Sequence, residues 1–312
     1  MYDYDTLPQR PNSPWSLPVT VNVVPAYRVI AKYAKQAQAL PQVEGLSFLD
    51  QHLRDYVRHL LADVSPSLVE LGQRSAVSQL GDPDMQILID AITRIDSANP
   101  RALAEEVLAR CGDAFDHPSL ESKVLLLPGD AESRTLAEQM HGVLGFSLGS
   151  RVMVVFIWPT EGWLDWLGYT IAHEYAHLVR NQIFPRGISG GKLVFLDSKE
   201  PETLLDAMVT EGIADHVAMW LRPGVCPTWT DALDADDSAR LWPRVQRRLG
   251  VSDPNEIRRV LFGDNDRIPA WTGFTFGYRV VNAYLRSHPK TTLVDMAAVC
   301  ARDIYEASGF AT

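Results

Sequence analysis

The residues best equipped for chemistry stand together in Ile171-Ala172-His173-Glu174-Tyr175-Ala176-His177-Leu178-Val179. Two histidines four positions apart fall one turn apart on a single face of a helix, so both imidazoles reach the same cation. Zinc takes histidine nitrogens at about 2.0–2.1 Å, and a helix holds two of them without the cost of ordering a loop. Glu174 follows the first histidine directly, close enough to touch a water on such a cation without binding it. Ala172, Ala176, Leu178 and Val179 are small or apolar, as a buried helix requires. A catalytic zinc keeps three protein ligands and one open position, so the pattern asks for a third ligand.

That ligand does not come from the longer pattern H-E-x-x-H-x-x-G-x-x-H. Arg180 occupies the glycine position and Ile183 the third histidine position. The carboxylates that follow are Asp197, Glu200, Glu202, Asp206, Glu211 and Asp215. The first three sit in or beside a stretch of Gly, Ser, Lys and Pro and read as solvated. Glu211 instead interrupts the apolar run 204–218, where a carboxylate is costly to bury unless it is paired or bound to metal. Glu211 is therefore the expected third ligand, with Asp206 as its competitor and a plain surface position as the bland alternative. Gly212 and Ala214 are expected to leave room for the motif helix. Asp215, one turn beyond Glu211 on the same face, is placed to accept the free ring N–H of a ligand histidine.

These side chains need a scaffold. Pro159 ends an apolar run at 152–158, and Thr160 can cap a helix spanning 161–181 that carries the motif. The runs at 123–127, 142–148 and 152–158 read as strands of a small sheet. A glycine-rich loop is expected at 187–191, then helices at 202–221, 239–249, 255–262, 270–286 and 293–305. Upstream, residues 27–110 show helical periodicity at 49–61, 68–80 and 85–95, broken at Ser65-Pro66, Asp82-Pro83 and Asn99-Pro100. Residues 1–18 hold four prolines and no periodicity, so they read as an extended arm. The expected division is 1–18, a helical region 19–115, and a second domain 116–312. The fold class is α+β, mostly helical, with a small sheet.

The 312 residues are 46% hydrophobic and 22% charged, ordinary globular values that exclude disordered, collagen-like and coiled-coil chains. A formal charge of −10 argues against a general binder of nucleic acid or anionic membranes. Cys111, Cys226 and Cys300 are too few and too far apart for a disulfide framework or a Cys-x-x-Cys knuckle. No apolar run approaches the roughly 18 residues of a membrane span, and the first residues lack the pattern of a secretory signal. The expectation is a soluble cytoplasmic protein.

His173-Glu174-Tyr175-x-His177 followed by Glu211-Gly212-x-Ala214-Asp215 resembles the gluzincin clan of zinc metallopeptidases. More narrowly, residues 123–285 are similar to a bacterial family of predicted zinc-dependent proteases that pairs a HEYxH helix with a distal glycine–tyrosine helix. Here that element is Trp271-Thr272-Gly273-Phe274-Thr275-Phe276-Gly277-Tyr278-Arg279-Val280-Val281. The resemblance implies a zincin-like catalytic domain of small sheet, active-site helix and glutamate helix. It implies that Zn²⁺ is held by His173, His177 and Glu211, that Glu174 is the general base, and that a peptide or protein is the substrate. The strand at 152–158 would border the cleft, either with an exposed edge able to pair with an extended peptide or as a plain core strand.

Clan members usually add a side-chain donor for the developing oxyanion, and Tyr278 is the candidate, with Arg279 and His216 behind it. Gly273 and Gly277, one turn apart, permit close packing beside it. Phe274, Tyr278 and Val281 also form an ordinary apolar stripe, so a core tyrosine is the plain alternative. Two other readings of the whole chain stay open. In one, the motif is a metal-stabilised core without catalysis and the helical N-terminal half binds a partner. In the other, the motif is a helical pattern without metal.

Overall fold

A computed structural model of the chain describes residues 21–115, 122–130, 132–189, 192–195, 198–264 and 266–310. The expected arm at 1–18 lies outside the described residues. Among them are twelve α-helices and six strands, so the chain is α+β and mostly helical. They form two compact units, each built from separated stretches: residues 21–110 with 122–174, and residues 111–115 with 175–310. Two uninterrupted helices, Pro100–Ala114 and Trp163–Ile183, carry the chain from one unit into the other.

The first unit begins with β1 (Val21–Val24) and four helices, α1 (Tyr27–Gln38), α2 (Gln42–Leu60), α3 (Pro66–Leu80) and α4 (Met85–Ser97). The helix Pro100–Ala114 is α5. Strands β2 (Ser122–Pro128), β3 (Val143–Leu148) and β4 (Val152–Ile157) follow, with a π-helical turn at Thr135–Gln139. The sheet order is β1-β2-β4-β3. β1 and β4 run parallel to β2, and β3 is antiparallel to β4. Parallel strands buried on both faces read as continuous apolar runs. β4 obeys this along its whole length, with all six residues buried. Helices α1 and α4 pack on β2.

The exposed-edge reading of 152–158 fails here. Strand β4 is paired on both sides, so it has no free edge; among the described residues, the strand at that edge of the sheet is β3. Strand β1, only four residues between Pro18 and Pro25, escaped notice because so short a run carries no readable alternation.

The helix Trp163–Ile183 is α6. The second unit adds the antiparallel pair β5 (Arg186–Ser189) and β6 (Lys192–Phe195), so 187–189 of the expected loop at 187–191 is strand, while 190–191 lie outside the described residues. Then come α7 (Leu204–Leu221), a 3₁₀ turn at Thr228–Asp231, α8 (Ala235–Gln246), α9 (Pro254–Phe262) and α10 (Thr272–Ser287). The expected helix at 293–305 is two, α11 (Leu293–Ala298) and α12 (Ala301–Ser308), broken where Val299 turns extended. Helix α7 is the centre of this unit: α9, α10, α11 and α12 all pack on it. Thirteen of its residues are buried, so it is apolar all round rather than on one face. No described helix is long and apolar enough to cross a membrane.

Candidate metal centre

His173, Glu174 and His177 project from α6 with one ligand atom of each inside a span of 4.8 Å. The helix sets this separation by itself, because positions four apart lie one above the other. His173 is 8% exposed and Glu174 5%. The apolar residues around them, Ile171, Ala172, Ala176, Leu178 and Val179, are fully or almost fully buried. A row of rings leads along α6 to the first histidine: His141 stacks on Trp166, Trp166 meets Tyr169, and Tyr169 lies 6.1 Å from His173.

Glu174 is gripped by strand β3. The Ser147 hydroxyl donates to Glu174 Oε2 at 2.8 Å and lies 3.2 Å from its main-chain oxygen. A Cβ added at Gly145 would sit 2.7 Å from Glu174 Cγ and 2.6 Å from Thr170 Cγ2. Neither residue was singled out from the sequence. A glycine inside a strand was the available signal, since it often marks a close approach of another element.

Downstream of the motif, Glu211 on α7 reaches His177, with 3.6 Å between Oε2 and Nε2. Both side chains are largely covered, 22% and 13% exposed. Asp206 does not compete. It is the third residue of α7, and its Oδ2 accepts from the Thr203 amide and hydroxyl in a capping box. Arg180, at the glycine position of the longer histidine pattern, has a structural duty instead. Its buried guanidinium donates to Thr210 Oγ1 and to the carbonyls of Ala297 and Val299, tying α6 to α7 and to the end of α11.

Asp215 is fully buried, and its Oδ1 accepts the Trp229 indole N–H at 3.1 Å. Gly212 makes room for α10 rather than for the motif helix: a Cβ there would collide with the Gly277 carbonyl, and one at Gly277 with the Met208 carbonyl. This close crossing brings Tyr278 of α10 onto α7, where its ring stacks on His216 at 4.3 Å and 8°. His216 Nε2 lies 3.2 Å from the Tyr278 carbonyl oxygen, which can only accept, so Nε2 carries the proton. Burial pushes the His216 pKa down to about 4, which keeps the ring neutral. Arg279 turns to the start of α8, held by Asp231, Ser238 and the Leu233 carbonyl. Of the three oxyanion candidates, Arg279 and His216 thus have structural duties on the second unit, while Tyr278 is half-buried.

The spacing of His177 and Glu211 fits two ligands of one zinc ion. Two atoms each about 2.0–2.1 Å from a tetrahedral centre stand about 3.3–3.4 Å apart. The 3.6 Å between His177 Nε2 and Glu211 Oε2 differs from that by a small side-chain adjustment. Two imidazoles and a carboxylate are also a donor set that zinc takes in catalytic sites.

Comparison with known proteins agrees with this chemistry. The family described as "Predicted Zn-dependent protease (DUF2268)" matches residues 101–306. With more than half of its length matched, the chain belongs to that family, and the match takes in the motif helix, α7 and α10. Neither the curated proteins nor the solved structures give a match.

Proposed function

We propose that this member of the predicted Zn-dependent protease family is a peptidase that hydrolyses peptide bonds, with Glu174 as general base. The observation that carries the reading is the cluster of His173, Glu174 and His177 on one buried helix, with Glu211 against His177. His173, His177 and Glu211 are the residues that would hold the metal. Zinc, when bound, lowers the pKa of a water towards neutrality and polarises the scissile carbonyl.

The chain's own residues do the rest. The Glu174 carboxylate takes a proton from the attacking water and gives it to the leaving nitrogen, so the acyl carbon gains oxygen and the amine departs neutral. Burial of Glu174 keeps bulk water from competing for that proton. Asp215 accepts a ring N–H of a ligand histidine and holds that imidazole in one tautomer. Tyr278 supplies the hydroxyl for the oxyanion, its ring plane held by the stack on His216.

The test joins metal content to turnover. Wild type should carry one zinc per chain and cleave members of a peptide library. His173→Ala should lose the metal, whereas Glu174→Gln should keep it and lose turnover. Zinc bound with no peptide cleaved would favour a structural metal site, and no zinc uptake at all would overturn the reading.

A further inference from the structure

We propose that Ser147 is a positioning residue for the general base: its hydroxyl fixes the Glu174 carboxylate and reserves one of its two oxygens for proton transfer. The kinetic part of this proposal rests on the peptidase reading; the contact itself does not.

Side chains alternate along a strand, so Gly145 and Ser147 face the same way and Phe146 the other. Phe146 stacks on Phe156, while Gly145 and Ser147 face the α6 side chains that carry the chemistry. The two contacts act at different points of one side chain. Gly145 lies beneath the Glu174 methylenes, and Thr170 closes the same space, so Cγ has little freedom. Ser147 then takes Oε2 at 2.8 Å. A hydroxyl has one proton, and the main-chain oxygen at 3.2 Å is the longer alternative, so the carboxylate is its main acceptor. With Oε2 engaged, Oε1 is the atom left to receive and return a proton.

The arrangement answers a specific difficulty. A glutamate carboxylate turns broadly about its last torsion. A base only 5% exposed also needs a hydrogen-bond partner to offset its lost hydration. Ser147 serves both needs from a strand, which is stiffer than a loop. Among the described residues, no other hydrogen bond to the Glu174 carboxylate is seen.

The proposal predicts that Ser147→Ala lowers kcat about 10- to 100-fold, the loss expected for one hydrogen bond to a charged group, with KM nearly unchanged. Ser147→Thr, which keeps the hydroxyl and suits a strand, should restore most of the rate. In a Glu174→Gln background, Ser147→Ala should cost nothing further. Zinc content should stay at the wild-type value throughout.

A second readout needs neither metal nor turnover. In the metal-free protein, the Glu174 carboxylate stretch is identified in the infrared difference spectrum by its loss in Glu174→Gln. Ser147→Ala should shift that band and Ser147→Thr should return it. Should Ser147→Ala fail to fold, Ser147→Cys, a weaker donor of similar size, should give the same shift at smaller amplitude. An unmoved band, an unchanged kcat, or a loss of rate that persists without Glu174 would overturn the assignment. If wild type cleaves no peptide, the peptidase reading falls, and the infrared band alone decides the Ser147 contact.

Discussion

Acidification from about pH 7.5 to about pH 5 is expected to remove about 2 kcal/mol of stability through one side chain, His216. The ring is 1% exposed, and burial lowers its pKa from 6.5 to about 4, outweighing Asp215 and the Tyr278 carbonyl, which both favour the cation. The unfolded chain binds a proton near pH 6.5 that the folded chain refuses until near pH 4. His216 therefore costs nothing above the unfolded value, and stability falls as the pH drops between the two. At about pH 5 the unfolded state gains roughly 30-fold over the folded one, or about 2 kcal/mol, approaching about 3 kcal/mol below the folded pKa. The assay is urea unfolding at both pH values with a chelator present, so that metal binding does not contribute its own pH dependence. His216→Gln keeps an N–H for the Tyr278 carbonyl but does not titrate. Its stability deficit relative to wild type should shrink by about 2 kcal/mol on acidification. Equal pH dependence in the two proteins, within about 0.5 kcal/mol, would refute the argument that His216 is buried neutral.

Tyr278→Phe should lower kcat about 10²–10³-fold without loss of zinc, and an unchanged kcat removes the hydroxyl from the mechanism. Gly277→Ala places a Cβ against the Met208 carbonyl and should destabilise by about 3 kcal/mol, measured by urea unfolding, because backbone cannot yield as a side chain can. Thr203→Ala removes the hydroxyl that accepts from the Asp206 N–H and donates to its carboxylate at the start of α7, and should cost about 1 kcal/mol in the same assay, with zinc content unchanged if Asp206 is a cap rather than a ligand.

The motif was legible because its geometry is local. Two histidines four apart meet on any helix, whatever surrounds it. Glu211 was legible for an energetic reason, a carboxylate in the middle of a largely apolar run, and the structure places it beside His177. Asp206 carried a readable signal as well, since Thr203-x-x-Asp206 ahead of an apolar run is a capping box. What sequence could not supply was strand order. Which strand has a free edge depends on pairings between residues far apart in the chain, and β4, the most apolar run, was the natural but wrong choice.

The grip on Glu174 shows the same limit at a single site. A glycine at 145 announces that something approaches closely, but the identity of that something is a property of the folded chain. Residue 147 announces nothing, because a serine on an edge strand is ordinary. The general base is thus specified twice over: in identity by a motif on its own helix, and in orientation by two small residues 27 and 29 positions earlier. If the orientation matters to the rate, a relative that keeps the histidines and Glu174 but places a bulky side chain at 145 must move its base, and its motif would then overstate its activity.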